Sequence, residues 1–79
     1  MKQIIIRNEP NTPDSILLTA REIQIVQLVA DGLTNHEIGE KMQLSAGTVE
    51  VYRSKIVDKS ECKTITHLVA VCFRQKLIS

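Results

Sequence analysis

The chain has 79 residues, of which 43% are hydrophobic and 24% are charged. That length allows one domain with a small core, and the composition is typical of a globular chain rather than a disordered one. No apolar run approaches the roughly 20 residues that a membrane span needs, so a membrane is not an expected partner. Residues 41–79 carry seven basic against three acidic residues, whereas residues 1–40 carry three against six. This distribution weakly favours a polyanionic partner.

Cysteine and histidine are too few and too scattered to suggest a metal site or catalysis. Cys62 and Cys72 lie ten positions apart, with no CxxC pair and no Cys/His quartet, so we expect reduced thiols in a cytosolic protein. His36 and His67 lie far apart in the sequence, and no nucleophile elbow or cofactor motif is present. We therefore expect no enzyme activity, no metal and no cofactor.

The first 16 residues are predicted to be an N-terminal arm or linker. Pro10 and Pro13 lie in a run that is typical of turns. The isoleucines at 4–6 could form a short strand, for which no partner strand is obvious, or dock as an extended arm. The folded domain is expected to occupy residues 17–79.

Capping boxes predict the first two helices. In this motif an N-cap threonine accepts a hydrogen bond from the backbone three residues on, and the glutamate there accepts one in return. The pattern occurs twice, and apolar residues follow at helical spacing. The predicted boxes are Thr19 with Glu22 before residues 20–31, and Thr34 with Glu37 before residues 35–41, with Gly32 at the C′ position between them.

Two further N-caps predict the remaining helices. Ser45 suits the N-cap of a third helix over about residues 46–59. Thr64 suits the N-cap of a fourth helix, which is expected to fray near Leu77.

The connection between the second and third helices predicts their geometry. Only about three residues, 42–44, join them, so they must cross steeply, as in a helix-turn-helix. Gly39 agrees, because a glycine within a helix costs about 1 kcal/mol against alanine and is explained by a third helix crossing closely. We expect alanine there to be tolerated or stabilising, and leucine to overpack. Spacing alone leaves open a small helical bundle without a DNA role.

Three sequence blocks carry a family resemblance, at residues 18–22 (LTARE), 30–39 (ADGLTNHEIG) and 44–51 (LSAGTVEV). Ile56 and Lys59 continue the match. Together they closely resemble the LuxR/FixJ-type (GerE-like) helix-turn-helix DNA-binding domains of bacterial transcription regulators. With the arm, the expected fold is an all-α tetrahelical helix-turn-helix bundle that has a short extended N-terminal arm.

The resemblance also implies a function. Such domains bind double-stranded DNA as dimers and regulate transcription, with the third helix in the major groove and the fourth commonly at the dimer contact. They are often the output domains of response regulators, so the expected localisation is the bacterial cytoplasm, on the nucleoid.

The recognition helix, about residues 46–59, is expected to present its exposed N-terminal residues to base edges. Val51 could pack on a thymine methyl, and Ser54 could hydrogen-bond to several bases. Glu50 could accept a hydrogen bond from cytosine N4, and Lys55 lies behind these residues. Helix starts and basic side chains suit phosphates. The predicted phosphate contacts are Asn35, His36, Ser45, Thr48, Arg53 and Lys59.

Three residues depart from the family pattern. Glu50 stands where lysine or arginine is frequent, and its carboxylate is expected to weaken generic DNA affinity. Tyr52 stands where histidine is frequent and can fill the same half-buried position. Ser60 stands where leucine or methionine usually closes the core, so we expect a looser junction between the third and fourth helices.

The fourth helix has more apolar residues than one buried stripe can use. Ile65 and Val69, four positions apart, are predicted to form the ridge of a weak homodimer. The alternative is that the surplus packs against the N-terminal arm.

Two alternative functions remain open. One is a domain like region 4 of a sigma factor, which would bind promoters and also RNA polymerase. The other is a protein-interaction module in which Glu50 weakens the DNA-binding face.

Overall fold

The structure is a computed structural model that describes residues 3–6 and 15–79. The remaining residues of the predicted arm, including both prolines, lie outside the described residues. The predicted four-helix fold is confirmed. Its elements are β1 (Gln3–Ile6), β2 (Ser15–Leu18), α1 (Ala20–Ala30), α2 (Asn35–Met42), α3 (Ala46–Lys59) and α4 (Ile65–Arg74).

Both capping boxes are formed. Thr19 Oγ1 accepts a hydrogen bond from the Glu22 backbone N–H at 3.0 Å, and Glu22 Oε1 accepts one from the Thr19 N–H at 2.7 Å. Thr34 and Glu37 repeat this arrangement at 3.2 and 2.8 Å. The other two N-caps are also confirmed, as Ser45 at α3 and Thr64 at α4.

Three helices end in Schellman motifs, in which a left-handed residue turns the chain back on the last turn. At the end of α1, Gly32 has φ 89° and the Leu33 N–H donates to the Leu28 carbonyl at 3.1 Å. The equivalent left-handed residue is Glu61 after α3, with φ 57°, and Lys76 after α4, with φ 60°. Because neither turn contains a glycine at this position, these two turns were not predicted from the sequence.

The N-terminal strand pairs with the segment that leads into α1. β1 and β2 form a parallel two-stranded sheet in which Ile4 lies opposite Ile16, and both side chains are buried. The Ile4 N–H also donates to Gln75 Oε1, beyond the end of α4, at 2.9 Å. The strand partner that the sequence did not reveal is therefore β2.

The core lies where α1, α3 and α4 pack together beneath the sheet. In the part of the chain that the structure describes, no helix has the length and apolar character to cross a bilayer. The buried side chains of the core are Ile4, Ile16, Leu18, Ile23, Ile25, Val26, Ile56, Leu68, Val71, Cys72 and Ile78.

The turn between α2 and α3 is tight. Gln43 adopts a left-handed conformation with φ 59°, and the Leu44 N–H donates to the Gly39 carbonyl at 2.8 Å. A Cβ built on Gly39 would collide with the Leu44 backbone carbonyl. The predicted close approach is real, but its partner is the turn rather than the body of the third helix. The expectation that alanine is tolerated there is wrong, because backbone cannot yield as a side chain can.

Ser60 caps the C-terminus of α3 inside the protein. The residue is 1% exposed, and its hydroxyl has no hydrogen-bond partner among the described residues. A buried hydroxyl without a partner costs free energy that an apolar residue would not. The looser junction between α3 and α4 stays a prediction, which this unpartnered hydroxyl supports.

Candidate nucleic-acid interface

An exposed stripe runs along α3 and forms the candidate interface. Its members recur at spacings of three and one, which places them on one side of a helix. Val51, near the middle of the stripe, is 59% exposed although it is apolar. The stripe comprises Gly47, Glu50, Val51, Ser54, Lys55 and Asp58.

The four predicted base-contact residues all lie within this stripe. The sequence prediction missed Gly47 and Asp58, which extend the stripe at its two ends. Their spacing from Glu50 and Lys55 is the signal that would have found them.

The opposite side of α3 fixes which residues face outward. Val49 and Ile56 are fully buried. Tyr52 is half-buried, and the Arg21 guanidinium lies 5.9 Å from the centroid of its ring. Burial of this side leaves the stripe exposed to solvent.

The start of α3 combines capping with free hydrogen-bond donors. Ser45 Oγ accepts from the Thr48 N–H at 3.1 Å and donates to Thr48 Oγ1 at 2.9 Å, and both residues are exposed. The first N–H groups of a helix have no intrahelical acceptor. The N–H groups of Ala46 and Gly47 are therefore placed to meet an anion.

Two other predicted phosphate contacts are hydrogen-bonded to each other. Arg53 Nη1 donates to Asn35 Oδ1 at 2.6 Å, which ties the middle of α3 to the first residue of α2. His36, the next residue, lies with its Nε2 2.9 Å from Glu40 Oε1 on the exposed side of α2. The structure thus places Asn35 and Arg53 in one cluster and His36 outside it.

Lys59 is engaged elsewhere. Its ammonium donates to Glu22 Oε1 at 2.7 Å, across to the first turn of α1. Burial raises the pKa of the Glu22 carboxyl, but the hydrogen bonds from Lys59 and from the Thr19 N–H outweigh burial and hold that pKa below its ordinary value. The Lys59–Glu22 pair was not foreseen from the sequence.

The charge of the stripe is unusual for a surface that meets phosphates. Lys55 is its one cation, whereas Glu50 and Asp58 contribute two carboxylates. None of these three side chains forms a salt bridge with another described residue. The outward side of α3 therefore carries one more negative charge than positive.

A second exposed surface lies on α4. Ile65 and Val69, the predicted dimer ridge, are half-buried and pack partly on the core. Phe73 continues the row four residues on and is 62% exposed. An open apolar groove lies beside it, lined by Val69, Ala70 and Phe73 together with Ala30 of α1. The sequence analysis counted Phe73 among the surplus apolar residues of the fourth helix but did not place it on the dimer ridge.

The cysteines have the character of core residues. Cys62 is half-buried and Cys72 is buried, and both are free thiols. Burial, with a smaller effect of Cys62, raises the pKa of Cys72 to about 11. Within the described residues, no group of three or more His, Cys, Asp or Glu side chains could hold a metal ion.

Comparison with known proteins gives several relatives. The chain is 37% identical over 60 residues to the DNA-binding transcriptional activator EvgA of Escherichia coli K12, which covers 76% of this chain and 29% of that protein. It is 38% identical over 71 residues to the oxygen regulatory protein NreC of Staphylococcus carnosus, which covers 90% of this chain and 32% of the relative. NreC of Staphylococcus aureus JH9 is 38% identical over 69 residues. The chain thus matches about a third or less of each relative's length.

A family model also matches. It describes bacterial regulatory proteins of the luxR family and aligns with residues 17–72, which include all four helix starts and the whole of α3. The resemblance seen in the three sequence blocks is thereby confirmed. The chain belongs to the luxR family of bacterial regulatory proteins.

Proposed function

We propose that this chain binds double-stranded DNA through the exposed stripe of α3 and regulates transcription. The observation that carries the proposal is the stripe itself, an exposed helix face that follows a tight turn after α2 and contains polar and apolar side chains suited to base edges. Family membership and the similarity to EvgA, a DNA-binding transcriptional activator, support it.

The base contacts follow from the positions on α3. Glu50 accepts a hydrogen bond from cytosine N4, Val51 packs on a thymine methyl, and Ser54 bonds to either kind of base. Lys55, one turn further than Val51, reaches a guanine or a neighbouring phosphate.

The phosphate contacts lie at helix starts and beside the stripe. Ser45 and Thr48 present the free N–H groups at the start of α3 to one phosphate. Asn35 and Arg53 flank a second position, where their hydrogen bond holds two donors together. His36, outside that cluster on the exposed side of α2, meets a separate phosphate. Each neutralised phosphate adds roughly 0.9 to the slope of log affinity against log salt.

Dimerisation is proposed to use α4. Ile65, Val69 and Phe73 follow one another at four-residue spacing, and a two-fold partner would present the same row in return. The row is short, so affinity between free subunits is low and two DNA half-sites bring the subunits together. Half-sites are then about 10 base pairs apart, centre to centre.

A pair of matched substitutions tests the base contacts. Glu50→Gln and Asp58→Asn remove the same charge from the same stripe, but only Glu50 lies near its N-terminal end. Both should tighten binding to a random-sequence duplex. Only Glu50→Gln should change the bases recovered when bound duplexes are selected from a random pool. Identical selected sequences from both variants and the unaltered chain would refute the proposed orientation of α3.

One observation favours a second candidate, a protein-interaction module. The stripe has two carboxylates, one lysine and the exposed Val51, and this combination also suits a protein partner. A mobility-shift titration with random duplex DNA at low salt distinguishes the two functions. Binding that weakens steeply as salt rises supports DNA, and no binding at any salt concentration supports the protein partner.

A further inference from the structure

We propose that Glu22 is a positioning residue for DNA binding, which uses Lys59 to fix the end of α3 on α1. Lys59 is then part of the scaffold and does not contact phosphate. The inference rests on the proposed function, because it concerns how the DNA-facing helix is held.

The contacts of Glu22 set it apart from an ordinary capping residue. A single oxygen, Oε1, accepts from the Thr19 N–H at 2.7 Å and from Lys59 Nζ at 2.7 Å. The first bond completes the cap of α1, and the second reaches 37 residues along the chain to the last residue of α3. One carboxylate therefore joins the start of one helix to the end of another.

The second capping box provides an internal comparison. Glu37 accepts from the Thr34 N–H at 2.8 Å, as Glu22 does from Thr19. Glu37 is exposed, however, and its carboxylate has no lysine partner among the described residues. Capping alone thus requires neither the burial nor the cation that Glu22 has.

Lys59 stays with Glu22 when DNA is present because the Glu22 carboxylate is nearly buried. The Glu22 side chain is 10% exposed, whereas that of Lys59 is 42% exposed. If Lys59 moved to a phosphate, it would leave a nearly buried carboxylate without a cation, and an unpaired buried charge is strongly unfavourable. The pair therefore persists in the complex.

The stripe needs this support because the hydrogen bond that joins α3 to α2 lies nearer the middle of α3. Arg53 ties α3 to α2 through Asn35, and Lys59 ties the end of α3 to α1. Ser60 follows Lys59 directly, with its buried hydroxyl unpartnered. The Lys59–Glu22 pair is thus a polar contact that fixes the C-terminal end of α3 on α1.

The test measures affinity and salt slope in the full 79-residue chain. The probes are a labelled duplex selected from a random pool and the unselected pool itself, titrated by fluorescence anisotropy over a range of salt concentrations. The variants are Glu22→Gln and Lys59→Met, with Glu37→Gln as the capping control and Lys55→Met as the phosphate-contact control. Circular dichroism establishes that each variant is folded.

Loss of positioning and loss of a phosphate contact have different signatures. Lys55→Met should lower the salt slope by roughly 0.9. Glu22→Gln and Lys59→Met should leave the slope unchanged and reduce the preference for the selected duplex over the pool by roughly fivefold. Glu37→Gln should change neither quantity. The double variant Glu22→Gln/Lys59→Met should lose no more preference than the worse single variant, since both substitutions break one pair.

Several results would overturn the inference. A slope lowered equally by Lys59→Met and Lys55→Met would make Lys59 a phosphate ligand. A steeper slope in Glu22→Gln would show that the carboxylate only withholds Lys59 from DNA. A fully additive loss in the double variant, or equal behaviour of Glu22→Gln and Glu37→Gln, would show that Glu22 does not position α3. Either result would leave the proposed DNA binding intact. If the unaltered chain binds neither duplex, the proposed function itself fails, and the inference fails with it.

Discussion

Replacement of Gly39 by alanine should destabilise the domain through its backbone contact in the helix-turn-helix turn. The added methyl would collide with the carbonyl of Leu44, and the Leu44 N–H is itself bonded back to the Gly39 carbonyl. The turn cannot move away without breaking that hydrogen bond or the left-handed conformation of Gln43.

The expected magnitude combines two opposing effects. Overpacking of this kind costs roughly 1–3 kcal/mol, and contact with backbone favours the upper end of that range. Alanine recovers about 1 kcal/mol of helix propensity. The net loss should be about 2 kcal/mol, which lowers the melting temperature of a domain this size by roughly 8–16 °C.

The other two glycines provide matched controls in the same thermal melts. Around Gly47, a Cβ would meet only Ser45 Oγ, at 4.0 Å, so Gly47→Ala should gain about 0.5–1 kcal/mol. Around Gly32 the space is open but φ is 89°, so Gly32→Ala should cost roughly 1 kcal/mol through conformation alone. A Gly39→Ala variant that melts at or above the temperature of the unaltered chain would refute the close contact.

Three further predictions concern the core, pH and dimerisation. Ser60→Ala should raise the unfolding free energy by about 1 kcal/mol in urea titrations, because it removes the unpartnered hydroxyl; a less stable variant would show that the hydroxyl has a partner. The lowered pKa of Glu22 means that its contribution to stability is fully present above its ordinary value of 4.5 and is lost as pH falls through the lowered value. Glu22→Gln should therefore flatten the acid side of the stability profile, and an unchanged profile would contradict the pair with Lys59. Val69→Glu should abolish cooperative binding to a palindromic duplex while circular dichroism stays unchanged; surviving cooperativity would place the dimer contact elsewhere.

The helices were predictable because their signals are local. Thr19, Thr34, Ser45 and Thr64 each accept a hydrogen bond from a backbone N–H three residues away, so a short window of sequence contains both partners. Helix bounds followed to within about a residue at most ends. Gly32 marked its turn for the same reason, since its left-handed conformation favours glycine.

Features that depend on distant contacts were not predictable. The pairing of β1 with β2 joins two short strands that are separated in the sequence, and neither strand carries a local signal for its partner. Glu61 and Lys76 adopt left-handed conformations that their side chains do not favour, so these two turns could not be predicted from residue type. The collision at Gly39 depends on where the turn places one carbonyl oxygen. Helix propensity alone predicted that Gly39→Ala would stabilise the domain, whereas the collision predicts that it destabilises the domain.

The candidate site likewise has a part that could be predicted from local spacing and a part that depends on distant contacts. The exposed side of α3 follows from helical spacing, which placed Glu50, Val51, Ser54 and Lys55 together. The engagement of Lys59 with α1 could not be foreseen, because basic residues near a helix end look alike in sequence whether they face solvent or a buried carboxylate.

Binding of duplex DNA to the exposed stripe of α3 can be observed residue by residue. Backbone amide chemical shifts are followed by NMR as a selected duplex is added to the full chain. We predict that the largest changes occur at the start of α3 and along residues 47–58, with smaller changes at Asn35. Changes centred on Phe73 and α4, or no changes with duplex DNA at low salt, would show that DNA does not bind through α3.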